Sequence, residues 1–238
     1  MSDYVPKSDY EGAGFMLTYR GNVILAERIN VKNPDVKEFE YMGGKREKSD
    51  ADAYATALAE LIEELGGPQF DTLTWRNRCK TIEVFQPFSK KWIICHVLEL
   101  NDAEYEIVKD ANLRLQSWPD DEMRDYSQLT GRLTPVRKAV RALYLVPQQK
   151  FYSYLTNFNN HPRSENRMND AKEYGKNNTL DGYCMITGEI KTLPLRGFNT
   201  VLFENKFNPI VSVSYNKIYA AVGLTVLAIG IGYYLYMD

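Results

Sequence analysis

Residues 43 to 67 read GGKREKSDADAYATALAELIEELGG, and this stretch constrains the fold more than any other. Tyr54, Ala57, Leu58, Leu61, Ile62 and Leu65 fall at i, i+3, i+4, i+7, i+8 and i+11. That spacing puts one apolar stripe on an α-helix spanning residues 50–65 and requires a core beneath it. Ser49, Asp50 or Asp52 can cap its start, and Gly66-Gly67-Pro68 ends it. Glu60, Glu63 and Glu64 stand at i, i+3 and i+4, which gathers three carboxylates in one arc opposite the stripe. Like charges so placed either face water or share a hard cation such as Mg²⁺, which takes carboxylate oxygens and waters. The carboxylates alone leave both readings open. Gly43-Gly44, just upstream, permits backbone conformations that other residues resist and would let the chain approach a phosphate.

The rest of the chain alternates strand and helix signals. Residues 14–29 read as a hairpin whose two apolar runs flank Tyr19-Arg20-Gly21-Asn22. Residues 38–42 alternate as a strand that Gly43-Gly44 should stop. Residues 71–76, 79–86 and 92–100 read as strands, and 101–131 as mixed loop and short helix. Thr134-Pro135 has the form of a helix start, so a helix is expected to about Leu145. It would carry Arg137, Lys138 and Arg141 on one face; together with Arg132 they could meet phosphates, a solvated face being the plainer reading. Residues 148–180 are polar with few aliphatics and read as a long loop. Apolar runs at 183–186 and 200–203 predict extra strands or a small subdomain.

Lys+Arg number 29 and Asp+Glu 31, a balance that makes no electrostatic case for nonspecific nucleic-acid binding. Cys79, Cys95 and Cys184 lie far apart, which argues against a disulfide framework or a zinc knuckle and for a reducing compartment. The first twelve residues have no apolar core and do not read as a signal peptide. From Ile218 to Met237 no residue is charged. As a helix, twenty such residues reach about 30 Å, the thickness of a bilayer core. Tyrosines 215, 219, 233, 234 and 236 mark its two ends, as in interfacial belts. Residues 216–238 are therefore expected to be a single-pass C-terminal anchor in a lipid bilayer, with the bulk of the chain on the cytosolic side.

A strand, Gly-Gly-Lys, an acidic loop and a helix bearing Glu-x-x-Glu-Glu together resemble the box of Nudix hydrolases, G-x5-E-x7-R-E-U-x-E-E-x-G-U with U aliphatic. Gly44 matches the opening glycine, Asp50 stands at the first acid, and Glu60, Leu61, Glu63, Glu64 and Gly66 match in register. The resemblance covers residues 12–146. It implies an α/β/α sandwich with a mixed sheet over residues 1–147, followed by an irregular, partly strand-containing extension (148–215) and the anchor. It further implies Mg²⁺ or Mn²⁺ on Glu60, Glu63, Glu64 and the Gly44 carbonyl. Glu60 or Glu63, or a loop glutamate such as Glu122, would be the general base, and the substrate would be a nucleoside-diphosphate-linked compound.

Three positions depart from the pattern. The interval from Asp50 to Glu60 is one residue longer, a spacing similar to that of the coenzyme A diphosphatase branch. Gly67 replaces an aliphatic, and Ala59 stands where the family has the arginine that orients a glutamate for metal binding. Lys45 or Arg46 could stand in for it or meet the substrate's phosphates. The resemblance thus implies either an active hydrolase or a lapsed Nudix-like domain. The lapsed domain would be a membrane-bound scaffold or structural protein with assembly partners, for instance in a virion.

Overall fold

The structure is a computed structural model that describes residues 9–204, apart from 31–32, 34, 68–69, 71, 87–89 and 121. The expected anchor at 216–238 lies outside the described residues. Among those described, no helix is long and apolar enough to cross a membrane.

The hairpin forms as its sequence dictates. Strands β1 (Tyr10–Tyr19) and β2 (Asn22–Arg28) pair antiparallel, with Leu17 opposite Ile24. Arg20 and Gly21 both take positive φ, the backbone that suits a two-residue turn to the strands' twist. A short β3 (Phe39–Glu40) pairs β2, and β4 (Met42–Lys45) pairs β1. Gly43 and Gly44 do not stop that strand; they lie inside it. Gly43 faces Gly14 so closely that a Cβ on it would stand 2.6 Å from the Gly14 Cα.

Helix α1 (Ala53–Glu64) follows, and of the three candidate caps Asp52 does the capping, accepting from the Ala55 amide at 2.8 Å. Residues expected to begin a strand at 71 instead form α2 (Thr72–Arg78), which buries Trp75 completely. The strands β5 (Lys80–Gln86) and β6 (Lys91–Glu99) are where the sequence predicts them, β6 lying parallel to β1. The polar stretch after them holds a full helix, α3 (Asp102–Ser117), with a capping box between Asn101 and Glu104. Short elements β7 (Met123–Arg124), α4 (Ser127–Thr130) and β8 (Val136–Arg137) come next.

The expected helix to Leu145 is corrected to a strand, β9 (Val140–Pro147), between β2 and β10 (Leu180–Cys184). Its run is apolar on both faces because both are covered, a pattern of buried strands. The expected loop at 148–180 is likewise corrected. It holds α5 (Gln148–Asn159), which buries Phe151, Tyr154, Leu155 and Phe158, and α6 (Arg167–Asn177). The strand β11 (Ile190–Leu193) completes the sheet, and residues 200–203 belong to a helix, α7 (Gly197–Phe203), rather than a strand.

The main sheet runs β11-β10-β9-β2-β1-β6-β5, mixed parallel and antiparallel, and separates two cores. Phe15, Leu17, Ile24 and Ala26 point to one face and pack with α1 and with Val108, Ala111 and Leu115 of α3. The alternate residues Met16, Val23 and Leu25 point to the other, which α5, α6 and α7 cover. The result is an α/β/α sandwich whose second helical layer comes wholly from residues after 147.

Candidate active site

The carboxylates of α1 meet the glycines of β4. Pairing of Ala13 with Gly44 holds β4 flat against β1, and the Glu60 carboxylate lies directly over Gly44. A Cβ there would overlap that carboxylate, so any other residue at 44 would have to push the Glu60 carboxylate from this place. At the other end of α1, Gly66 and Gly67 take positive φ, and the Gly67 amide donates to the Ile62 carbonyl at 2.8 Å.

The cation that organises these carboxylates is Arg132. Its side chain is 2% exposed. Nη1 donates to Glu60 Oε1 at 2.7 Å and to Glu63 Oε2 at 3.1 Å. Nε and Nη2 fork onto the two oxygens of Asp50 at 3.2 and 2.9 Å, and Nη2 also reaches the Lys45 carbonyl at 3.4 Å. Gly131, in left-handed backbone, ends α4 and turns the next residue inward, while the Arg132 amide donates to Thr130 Oγ1 at 3.2 Å. Asp50 is held further by the Glu47 amide and the Thr56 hydroxyl, at 2.9 and 2.8 Å. With its proton on Asp50, Thr56 accepts from Tyr10, 2.8 Å away.

Ala59, where the family pattern has arginine, is buried at 4% exposure, and the guanidinium arrives instead from 72 residues beyond Glu60. The expected stand-ins are corrected accordingly. Lys45 gives Arg132 its carbonyl, and Arg46 lies over the Tyr10 ring, 4.6 Å from its centroid. No local spacing announces Arg132. Its one sequence signal is its place after a turn glycine.

The electrostatics follow from this packing. Burial opposes ionisation of Asp50, but the bonds from Arg132, Glu47 and Thr56 outweigh it and hold the carboxyl below its ordinary range. For Glu60 and Glu63 burial wins over Arg132; both are raised, Glu63 to about 7. Glu64 is raised further by burial and by the charges of Glu40 and Glu60. Burial opposes the charge of Arg132 too, yet its carboxylates keep it more firmly protonated than a free arginine.

Among the described residues, two cavities border α1. The larger, about 430 Å³, is lined by Glu60 and Glu64 of α1, Gly43, Gly44 and Lys45 of β4, and Glu11, Arg28, Glu40, Arg196, Phe198 and Asn199. Glu40 accepts from Arg28 at 2.8 Å and from Arg196 at 2.7 Å. The smaller, about 140 Å³, is lined by Glu60, Glu63, Glu64, Val136, Arg137 and Ala139. Arg137 therefore shares a cavity with the carboxylates, though from a strand. Lys138 does not: it is buried on the Trp118 carbonyl at 2.7 Å. Arg141 faces Asp120 at 3.7 Å, and Glu122 pairs with Arg124 at 2.7 Å; neither lines these cavities. Glu11, Arg28, Glu40, Arg196 and Asn199 escape a reading of the sequence because they come from four separate segments.

The donor chemistry suits a hard divalent cation. Glu64 Oε2 and Glu11 Oε2 are buried with no hydrogen-bond partner among the described residues, and both residues line the larger cavity. Among those residues no three carboxylates, thiolates or imidazoles already stand close enough together to hold an ion. Arg132 occupies Glu60 and Glu63 instead.

No protein-family model and no curated protein matches the chain. Among solved structures it is similar to a bifunctional NMN adenylyltransferase/ADP-ribose pyrophosphatase from Francisella tularensis, complexed with AMP and a Mn ion. That match has 13% identity over 59% of this chain and 34% of that one, with a TM-score of 0.32. It is similar to the pyrophosphohydrolase BsRppH of Bacillus subtilis at 18% identity, over 42% and 58% of the two chains, with a TM-score of 0.28. A third similarity, to a MutT Nudix hydrolase from Burkholderia pseudomallei, has 16% identity over 40% and 68%, with a TM-score of 0.26. The chain thus spans 34% and 58% of the first two proteins' lengths. Nudix hydrolases recur among these similar structures, but at TM-scores this low the likeness carries no weight of its own, and a Nudix reading rests on the residues.

Proposed function

We propose that this chain hydrolyses a nucleoside-diphosphate-linked substrate in the Nudix manner, at a membrane to which residues 216–238 tie it. The observation that carries the reading is Arg132. The residue pattern lacks one arginine, and an arginine from elsewhere in the chain sits among Asp50, Glu60 and Glu63 with four charge-assisted bonds. A glutamate face that merely meets water has no use for a guanidinium buried in this way.

Glu60, Glu63 and Glu64, with the Gly44 carbonyl, would hold Mg²⁺ or Mn²⁺, which when bound neutralises diphosphate charge and lowers the pKa of a water. Arg132 orients Glu60 and Glu63. Only one oxygen of Glu63 bonds Arg132, so the other is left to take a proton from the attacking water. A carboxyl near pH 7 suits that task. Water adds to phosphorus as the bridging P–O bond breaks, giving X–phosphate and a nucleotide. Arg137 and Lys45, lining the two cavities, meet the phosphates.

The second reading, a lapsed domain serving as a membrane scaffold, is favoured by the bonds that Arg132 makes to one oxygen of Glu60 and one of Glu63 without a metal. The full-length chain in detergent, screened on nucleoside-diphosphate-linked compounds with Mg²⁺ or Mn²⁺, separates the two. Turnover is expected, and Glu63→Gln should lower kcat by at least about 100-fold. No turnover, with no heat of metal binding in calorimetry, would establish the scaffold reading. Alkaline carbonate should leave the full-length chain with membranes; release into the supernatant would remove the anchor.

A further inference from the structure

Half of the buried side-chain polar atoms without partners among the described residues lie at one place. Glu11, Glu64 and Asn199 all line the cavity of about 430 Å³. Asn199 is 1% exposed, and neither its Nδ2 nor its Oδ1 has a hydrogen-bond partner among the described residues. Leaving both ends of a buried amide unpaired is costly, and native structures tolerate it where another molecule completes the bonds.

We propose that Asn199 reads the nucleobase of the substrate, which makes α7 the specificity element of the site. The proposal rests on the nucleotide reading above. A primary amide offers one donor and one acceptor side by side, and every nucleobase has an edge with an adjacent donor and acceptor that two such bonds can match. Phe198, next in the chain and lining the same cavity, supplies an aromatic face for the base. Arg28 and Arg196, bridged by Glu40, supply cationic groups along the same wall. The volume falls within the roughly 300–1,000 Å³ of small-molecule sites. Glu60 and Glu64 border the same space, so a base held by α7 leaves its phosphates toward α1.

The test is calorimetric binding of AMP, GMP, CMP and UMP to the full-length chain, with ribose 5-phosphate as the base-free control. At least one nucleotide should bind at least about ten-fold more tightly than the control, and Asn199→Ala should abolish that difference while leaving the control unchanged. The comparison on the unaltered chain needs no variant to fold, and a melting curve checks that Asn199→Ala does. The proposal is overturned if no nucleotide outbinds ribose 5-phosphate, or if a folded Asn199→Ala protein keeps the preference. Base preference that depends on Asn199 without turnover keeps this inference and removes the hydrolase. Turnover without base preference does the reverse.

Discussion

Arg132 spends one guanidinium on three carboxylates, and breaking such a cluster from one side is expensive. Arg132→Ala leaves Asp50, Glu60 and Glu63 buried without their cation, and should cost about 3–5 kcal/mol in urea unfolding. Arg132→Lys should recover only part, because an ammonium cannot fork onto Asp50 while reaching Glu60. Ala59→Arg alone should not raise activity, since a second long cation has no room beside Arg132 at a position 4% exposed. In the Arg132→Ala background the same change should restore stability and activity in part. If Ala59→Arg helps with Arg132 present, Arg132 does not fill the missing role. The carboxylates were legible because three and four residues separate them on one helix, whereas the 69 to 82 residues between Arg132 and its carboxylate partners leave no local trace.

Elements were legible where a period or a turn marks them and obscured where an apolar run has neither. Helix α1 shows its period plainly, and the hairpin, though its strands are buried on both faces, shows its turn. Strand β9 has no such mark, because both faces are covered and its apolar residues run on without alternation. Helix α5 carries Phe151, Tyr154, Leu155 and Phe158 at i, i+3, i+4 and i+7, but three of the four are aromatic, so a search for aliphatics passes over the stripe. Strand β6, between β1 and β5 in the sheet, brings His96 between Phe15 and Tyr54 with ring distances of 5.6 and 5.4 Å. Burial pushes this imidazole down to about 4, so the unfolded chain binds its proton at higher pH than the folded one. The stability it contributes is present in full above about pH 6.5 and is lost as pH falls through 6.5 toward 4. Melting temperatures of His96→Phe should therefore lose part of the decline that the parent chain shows across that window. An unchanged decline would mean that His96 is not buried in its neutral form.

At the scale of the molecule, the part of the chain after residue 147 belongs to the sandwich rather than trailing from it. The second core joins Met16, Val23, Leu25 and Phe39 to Phe151, Leu155, Phe158, Leu202 and Phe203. The strand β10 covers the edge of β9, and Arg196 reaches Glu40 in the site. A boundary drawn where the family resemblance ends would cut through this packing. A chain of residues 1–147 would bare one whole face of the sheet and the open edge of β9, and exposed edges of that kind pair with other chains. It should aggregate or stay unfolded, whereas residues 1–204 should unfold cooperatively in a single transition. The measurement is urea unfolding followed by circular dichroism. A soluble, cooperatively folding 1–147 fragment would show that the sheet needs only one helical layer. It would also confine residues 148–204 to the role that Asn199 and Phe198 suggest for them, as the part of the molecule that chooses the substrate.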